Sequence, residues 1–300
     1  MVEQSILVIG AEGQLARALA RLEAVARHPI VCRGRPAVDI TDAESLRVLL
    51  AAIDPAAVVN AAAYTAVDAA ESHAEAAHAV NAYGPEQLAK LCSERGIPLV
   101  HISTDYVFDG RGTTPYGETD PVAPLGVYGT TKAAGEAAIR AACPHHLIVR
   151  TSWLYDGEGR NFLTTMLRLG SEREALSVVD DQRGAPTWTE DLAAAIAAML
   201  QRVLTGGVRD AWGTYHATNS GETTWHGFAA EIFRIAATCG HPAPKLAAIT
   251  TAEYPTPAAR PAYSVLDNTR LAQAFGIRMP DWQDSLARCM ARRFAKTRTD

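Results

Sequence analysis

The chain has 300 residues, 48% of them hydrophobic, so it can bury a large core in one or two domains. A formal net charge of −5 and the lack of a Lys/Arg block argue against nucleic acid or an anionic membrane as the main partner. The sequence begins without signal-peptide features, and no apolar run reaches the ~18 residues of a membrane span. We therefore expect a cytoplasmic protein that acts on a small molecule.

The five cysteines are scattered and form no C-x-x-C pair, which disfavours a disulfide framework or a zinc site. His145 and His146 lie between a predicted helix and a predicted strand. A connecting loop explains these histidines better than a metal site, and we predict no bound metal.

The chain opens with a pattern typical of a dinucleotide-binding unit. Residues 5–9 form a short apolar run, as expected for a strand buried in a parallel sheet. Gly10 and Gly13 follow at once, and Leu15 and Leu19 then keep helical spacing. Glycines in such a strand–turn–helix unit let the backbone approach a pyrophosphate at the helix N-terminus.

Strands and helices alternate through the first half of the chain. Further strands are predicted at 30–32, 57–60, 99–102 and 147–150, and helices at 43–53 and 74–95. This alternation predicts an α/β fold with a Rossmann-type doubly wound parallel sheet and ligands beyond the carboxyl ends of its strands. Residues 1–155 are predicted to form the dinucleotide-binding core, which later segments are free to rejoin.

The second half is less regular, and residues 156–300 are predicted to form mainly a smaller C-terminal α+β substrate lobe. Strands are predicted near 175–179 and at 214–216, and helices at 190–203, 225–238, 269–275 and 281–295. No internal repeat or long linker is apparent.

The segment Tyr128-Gly-Thr-Thr-Lys132 carries the predicted chemistry. Helical residues four apart share one face, so the phenol and the ammonium can point into one cleft. A neighbouring cation favours phenolate and lowers the cost of proton donation by tyrosine. Thr104 follows the predicted strand at 99–102, and its hydroxyl would join the other two groups at the same edge of the sheet.

The end of the second strand bears on the choice of cofactor. The sequence there reads Cys32-Arg33-Gly34-Arg35, and arginine at this position accommodates a 2′-phosphate. We therefore predict NADPH. NADH stays possible, because the nearby Asp39 could contact the ribose or the adenine instead.

Several blocks make nearly the whole chain resemble the extended short-chain dehydrogenase/reductases, and within them the dTDP-4-dehydrorhamnose reductase family. These blocks are Gly10-x-x-Gly13-Gln14, Asn60-Ala-Ala-Ala-Tyr-Thr-Ala-Val-Asp68, Ser103-Thr-Asp-Tyr-Val-Phe-Asp-Gly110, Tyr128-Gly-x-x-Lys132, Arg150-Thr-Ser-Trp-Leu-Tyr155, Asp181-Gln-x-Gly-Ala-Pro-Thr187, Tyr254-Pro-Thr-Pro-Ala258 and Arg260-Pro261. The glycine turn and Tyr-x-x-x-Lys are typical of the whole superfamily. The blocks Ser-Thr-Asp-Tyr-Val-Phe and Gly-Ala-Pro-Thr are typical of a much narrower group of proteins within it.

The resemblance implies the last step of dTDP-L-rhamnose synthesis, in which hydride passes to C4 of a 4-keto sugar nucleotide. Tyr128 would donate the proton, Lys132 would bind the nicotinamide ribose and lower the pKa of the tyrosine, and Thr104 would hydrogen-bond the carbonyl oxygen. The implied substrate contacts are Thr104, Asp105, Tyr106, Trp153 and Arg260. The predicted cofactor contacts are Gly10, Glu12, Gly13, Gln14, Leu15, Arg33, Asp39, Ile40, Ala62, Ala63, Tyr64, Thr65, Ile102, Tyr128 and Lys132.

One departure from the family concerns assembly. Members that dimerise through a bridging magnesium ion carry a glutamate on the first helix, where this chain has Ala18. We therefore expect no magnesium-bridged dimer, which leaves a monomer or another homodimer.

Two other functions remain open. One is another sugar-nucleotide reductase or epimerase of the same fold, and the other is a non-catalytic regulatory subunit resembling that of methionine adenosyltransferase. The intact Thr104, Tyr128 and Lys132 argue against the regulatory subunit.

Overall fold

The structure is a computed structural model that describes residues 4–207 and 211–296. The strands, in chain order, are β1 (Ile6–Ile9), β2 (Ala24–Val25), β3 (His28–Arg33), β4 (Ala57–Asn60), β5 (Leu99–Thr104), β6 (His146–Thr151), β7 (Leu154–Tyr155), β8 (Ala175–Val179), β9 (Arg183–Gly184), β10 (Thr187–Trp188), β11 (Gly213–His216), β12 (Thr223–Thr224) and β13 (Lys245–Ile249). The helices are α1 (Gln14–Ala20), α2 (Ala43–Ile53), α3 (Val67–Ala70), α4 (Ala74–His78), α5 (Gly84–Glu94), α6 (Val127–Ala142), α7 (Phe162–Glu172), α8 (Thr189–Leu204), α9 (Trp225–Thr238), α10 (Thr269–Phe275) and α11 (Trp282–Lys296).

A central sheet of seven strands organises the fold, in the order β11-β6-β5-β4-β1-β3-β2. All neighbouring strands run parallel except the β2–β3 pair at one edge. In β1, Ile6 lies opposite Ile30 on one side and Ala57 on the other. The predicted α/β fold with a Rossmann-type parallel sheet is confirmed.

Helices cover both faces of this sheet, which explains why its inner strands read as continuous apolar runs. On one face Leu19 of α1 and Ile196 of α8 pack in a shared core. On the other face Leu50 of α2, Leu88 of α5 and Ile139 of α6 form a second core.

The chain returns to the main sheet late in the sequence. Helix α8 packs against α1, and β11 then pairs parallel with β6, with Thr214 opposite Ile148. The sequence analysis assigned both elements to the smaller lobe while allowing later segments to rejoin the core, and these segments do rejoin it. Leu192, Ile196 and Met199 share one face of α8 and fill the groove beside α1, which accounts for the return.

The smaller lobe surrounds a third core formed by α7, α9 and α11. Leu163, Phe228 and Leu286 are each fully buried there. Strand β8 pairs parallel with β13 along its whole length. The sequence did not predict α7 or β13, and the latter is mostly exposed, so its apolar pattern is weak.

Among the described residues, every helix is too short or too polar to cross a lipid bilayer.

Candidate active site

Helix α6 brings Tyr128 and Lys132 to the carboxyl end of β5. Tyr128 is the second residue of α6 and Lys132 lies one turn later, which confirms the predicted helix. Gly129 makes the close approach possible, because a Cβ at this position would lie 2.2 Å from the carbonyl oxygen of Tyr106. Steric hindrance therefore explains why the Tyr-Gly-x-x-Lys motif has glycine at this position.

Thr104 ends β5 and hydrogen-bonds with the side chain of Tyr128. The Thr104 hydroxyl donates to Asp105 Oδ1 at 3.0 Å and accepts from the backbone N–H of Tyr106 at 3.2 Å. Burial raises the pKa of Tyr128 strongly, and the bond with Thr104 opposes this only in part. The phenol is therefore protonated at neutral pH and able to donate.

The amine of Lys132 lies behind the tyrosine and is almost fully buried. Its Nζ donates to the carbonyl oxygen of Ile102 at 2.6 Å and lies 3.1 Å from His101 Nε2. Burial lowers the pKa of Lys132 to about 8, against the opposing charge of Glu136. Burial of the phenol is the largest influence on the pKa of Tyr128 in the protein without ligands, and the predicted effect of Lys132 on that pKa stays a prediction.

A cavity of about 520 Å³ lies beside the glycine turn, at the carboxyl ends of β1, β3 and β4. Gly10 has a φ of 105°, and a Cβ there would lie 2.8 Å from the backbone nitrogen of Ala62. Only glycine therefore fits the turn at this position. The predicted cofactor residues that line the cavity are Gly10, Glu12, Gly13, Asp39, Ile40, Ala62, Ala63 and Thr65.

The two arginines after β3 differ in their position relative to this cavity. Arg35 lines it together with Asp39, whereas Arg33 is absent from the lining and its guanidinium donates to the carbonyl oxygen of Cys32. Two hydrogen bonds from Thr41 lower the pKa of Asp39, and the charge of Arg35 adds to the effect. Arg35, rather than Arg33, is the cation at the rim of the cavity.

Three other predicted cofactor residues do not line the cavity. The side chain of Leu15 is buried in the core against the sheet. The Gln14 side-chain oxygen accepts from Asn161 Nδ2 at 2.9 Å, which ties α1 to the start of α7. Ile102 offers the carbonyl oxygen that Lys132 binds.

Asn81 is a buried residue that the sequence analysis missed. It lies in a π-helical turn, Ala79–Tyr83, that interrupts the predicted helix at 74–95. Its side chain accepts from the backbone N–H of Tyr64 at 2.8 Å and donates to Thr131 Oγ1 at 3.1 Å. Tyr64, a predicted cofactor residue, is thereby fixed to α6. π-Helical turns often occur at functional sites, but a single Asn in an Ala-rich helix gives no such signal in the sequence.

Asp105 and Tyr106 lie directly beside Thr104 and Tyr128. Burial raises the pKa of the Asp105 carboxyl to about 6, against hydrogen bonding with Ser264 and Thr104. The Tyr106 ring packs edge-on against Tyr128, with centroids 5.5 Å apart. Burial also raises the pKa of Tyr106 to about 12.

Arg260 reaches this region from the loop that precedes α10. Its guanidinium pairs with Asp68 Oδ2 at 2.8 Å and hydrogen-bonds the side chain of Tyr106. The structure therefore brings Arg260 together with two other predicted or motif residues. Asp68, the last residue of the Asn60 block, was not predicted as its partner.

Trp153 has a φ of 47°, which is uncommon for a bulky residue. Its indole stacks on that of Trp225, with centroids 3.6 Å apart and planes 9° from parallel. A Cβ on Gly184 would lie 2.5 Å from the Trp153 ring. The sequence analysis named Trp153 and missed both Trp225 and the need for glycine at position 184.

Known proteins are similar to this chain over most of its length. The profile of the family described as RmlD substrate binding domain matches residues 4–294. A dTDP-4-dehydrorhamnose reductase of Escherichia coli (strain K12) is 46% identical over 261 residues, which cover 86% of this chain and 87% of the relative. The chain belongs to the dTDP-4-dehydrorhamnose reductase family. A second reductase of that name, from Sinorhizobium fredii, is 41% identical and covers 94% of this chain and 95% of its own length.

Solved structures of the reductase family agree with this assignment. A dTDP-4-dehydrorhamnose reductase of Bacillus anthracis in complex with NADP has a TM-score of 0.89 at 35% identity, covering 97% of this chain and 100% of that chain. A second, from Clostridium acetobutylicum, has a TM-score of 0.88 at 39% identity, covering 96% and 98%. The resemblance inferred from the sequence blocks is confirmed.

Ala18, where this chain departs from the magnesium-bridged members of the family, is a buried residue of α1. Its side chain packs in the core beside the sheet. The expectation of no magnesium-bridged dimer stays a prediction, as does the oligomeric state.

Proposed function

We propose that this protein reduces the C4 ketone of dTDP-4-dehydro-β-L-rhamnose to dTDP-β-L-rhamnose, the last step of dTDP-L-rhamnose synthesis, with NADPH as the reductant. The observation that carries the proposal is the convergence of Thr104, Tyr128 and Lys132 at the carboxyl end of β5. The names of the relatives support the substrate, and the NADP complex of the Bacillus anthracis reductase supports the cofactor.

The cavity beside the glycine turn fits a dinucleotide. Its floor is made of backbone and small residues, because Gly10 packs directly against Ala61 and Ala62. Arg35 brings positive charge to the rim, which suits the 2′-phosphate of NADPH better than the hydroxyls of NADH. NADPH would supply the hydride when bound, and Tyr128 and Lys132 would contact its nicotinamide ribose.

Tyr128 is the proton donor in this mechanism. Its phenol is protonated at neutral pH, so a proton is available as the ketone oxygen gains negative charge, and the burial that raises its pKa increases the cost of giving that proton up. Thr104 would bind the same oxygen after its hydroxyl, which donates to Asp105 in the protein without ligands, turns towards the ketone. Burial of the two side chains strengthens both interactions, because the interior has a lower dielectric constant than water.

We further propose that Asp105, Tyr106, Trp153 and Arg260 bind the sugar nucleotide. Asp105 and Tyr106 adjoin the reacting groups in the chain, and Arg260 contacts the Tyr106 side chain. Arg260 is the cation of this set and suits the diphosphate. Trp153 offers a flat apolar surface, held by its stack on Trp225.

Steady-state kinetics with dTDP-4-dehydro-β-L-rhamnose and NADPH, with the product sugar identified, tests the proposal. Tyr128→Phe keeps the ring and removes the acid, so kcat should fall by ~10²–10⁴ while NADPH binding changes little. Tyr83→Phe is the matched control, since Tyr83 is an exposed tyrosine of the π-helical turn. It should leave kcat unchanged.

Three outcomes would contradict parts of this proposal. If Tyr128→Phe retains more than about a tenth of the wild-type kcat, another group must donate the proton. Turnover without stoichiometric NADPH consumption would favour an epimerase. No turnover, together with co-purification of a synthetase, would favour a regulatory subunit.

A further inference from the structure

Two buried residues that the proposed mechanism does not use lie behind Lys132. Asn60 ends β4 and His101 lies opposite it in β5, and both are shielded from solvent. Asn60 Nδ2 lies 3.0 Å from His101 Nδ1, and Lys132 Nζ lies 3.1 Å from His101 Nε2. The three side chains thus form a continuous chain of polar contacts inside the sheet.

The backbone fixes the orientation of the Asn60 amide. The N–H of Ala62 donates to Asn60 Oδ1 at 3.1 Å, so the amide nitrogen must face the imidazole. An amide nitrogen only donates, and His101 Nδ1 must therefore accept. A neutral imidazole carries one N–H, and in this arrangement it is on Nε2.

The Nε2–H of His101 therefore points at Lys132 Nζ. An ammonium group has three donors and no acceptor, so a charged Lys132 would set donor against donor at this contact. A neutral amine has a lone pair that accepts from His101 while one of its N–H groups donates to the Ile102 carbonyl. The other solution, a flipped Asn60 with the proton on Nδ1, would leave the Ala62 N–H facing an amide NH₂ group.

From this hydrogen-bond pattern we propose that Asn60 and His101 are positioning residues that stabilise the neutral form of the Lys132 amine relative to the ammonium in the protein without ligands. The catalytic meaning of this state rests on the proposed function, in which Lys132 serves Tyr128. Lys132 then presents a lone pair to the site and becomes a cation only by taking up a proton.

The surroundings shift both residues towards their neutral forms. Burial lowers the pKa of Lys132 to about 8, and burial also holds the pKa of His101 well below its usual value. Glu136 is the acidic group whose charge acts on Lys132 in the opposite direction. Its carboxylate is already bound by Arg150 and by Ser103, which limits that effect.

NMR of the unliganded protein tests the proposal. The lysines of the sequence are Lys90, Lys132, Lys245 and Lys296, so the side-chain signals of ¹³C-labelled lysine are few and Lys132→Arg assigns the relevant one. We expect Lys132 to titrate at about pH 8, well below the ordinary lysine value of 10.5. Ring ¹⁵N shifts should show His101 with its proton on Nε2.

Asn60→Asp is the decisive variant, because it keeps the shape of the side chain and replaces the donor by an acceptor. The carboxylate would draw the His101 proton to Nδ1, and Nε2 could then accept from a charged Lys132. We expect the Lys132 titration to rise by about one pH unit or more. The double variant Asn60→Asp/His101→Leu retains the new charge but offers no imidazole nitrogen to accept from Lys132, so its rise should be clearly smaller than that of Asn60→Asp.

Each measurement can overturn the proposal. A proton on Nδ1 in the wild type, an unchanged Lys132 titration in Asn60→Asp, or an equal rise in the double variant would each refute it. The wild-type tautomer decides the question alone if the variants fail to fold. None of these measurements uses substrate or cofactor, so failure of the reductase assay would leave their outcome unaffected.

Discussion

Replacing Glu136 with glutamine should destabilise the fold far more than the loss of an ordinary surface ion pair. Glu136 is fully buried on α6, one turn beyond Lys132. Its two carboxylate oxygens accept from Arg150 Nε at 2.9 Å and Arg150 Nη2 at 2.7 Å. Ser103, which precedes Thr104, donates to the same carboxylate at 2.5 Å.

The magnitude follows from the burial of the partner. Only 2% of the surface of Arg150 is exposed, so Glu136→Gln leaves its guanidinium without a counter-ion in the interior. Breaking one side of a buried pair typically costs about 3–5 kcal/mol. With an unfolding entropy of about 0.6 kcal/mol per degree for a chain of this length, Tm should fall by about 5–8 °C.

Differential scanning calorimetry of the wild type and two variants measures the effect. Glu86→Gln is the control, because Glu86 forms an exposed pair with Lys90 at 2.6 Å and its loss should cost no more than about 1 kcal/mol. If Glu136→Gln lowers Tm by no more than the control, the Arg150 charge is solvated or otherwise compensated. The reasoning from burial would then be wrong.

The same pair predicts a dependence of stability on pH. Burial acts to raise the pKa of Glu136, but the bonds from Arg150 and Ser103 and the nearby charges more than offset it, and the net pKa lies below the usual value of 4.5. A lowered folded-state pKa stabilises the fold above the unfolded-state pKa. This contribution is lost as the pH falls from about 4.5 through the lowered value, and Glu136→Gln should lack it.

Two further predictions concern the cofactor cavity and the approach of α6. Arg35→Ser should lower the ratio of kcat/KM for NADPH to kcat/KM for NADH by about tenfold, while Arg33→Ser should change this ratio little. Steady-state kinetics with both cofactors measures the ratio. A larger effect of Arg33→Ser would mean that Arg33, and not Arg35, binds the 2′-phosphate. Gly129→Ala should push α6 away from Tyr106 and cut kcat by more than about tenfold. Gly117→Ala is the control, because its Cβ would meet only Asp120 Oδ2 at 3.9 Å, and equal kcat values for the two variants would refute the steric argument.

The sequence predicted most of the regular elements because their signals are local. The bounds of β4, α2 and α9 agree with those read from apolar runs and helical spacing. Side-chain caps reinforce two of them, since Asp42 accepts from the first turn of α2 and Thr224 accepts from the Gly227 N–H in α9. The Tyr-x-x-x-Lys spacing was informative for the same reason.

The missed features depend on contacts between distant segments. Strand β13 was not predicted because it is exposed and gains its hydrogen bonds from β8, far away in the sequence. The position of Arg35 at the cavity depends on the conformation of the loop after β3, which composition does not specify. The net pKa shift of Tyr128 depends on how deeply the phenol is buried, and the degree of burial cannot be read from a motif.

The pair between Arg260 and Asp68 shows what such a distant contact adds to the site. The two residues are 192 positions apart, and each belongs to a block that resembles the reductase family, yet a single sequence does not reveal that they pair. The pair orients the guanidinium beside Tyr106 before any ligand arrives. A diphosphate bound by Arg260 must therefore compete with Asp68, whose side chain is 43% exposed and can be solvated when released. In the proposed substrate site, Asp68 would thus favour binding by preorganising the arginine and oppose it through its charge, and the balance of these two effects would set the affinity for the diphosphate.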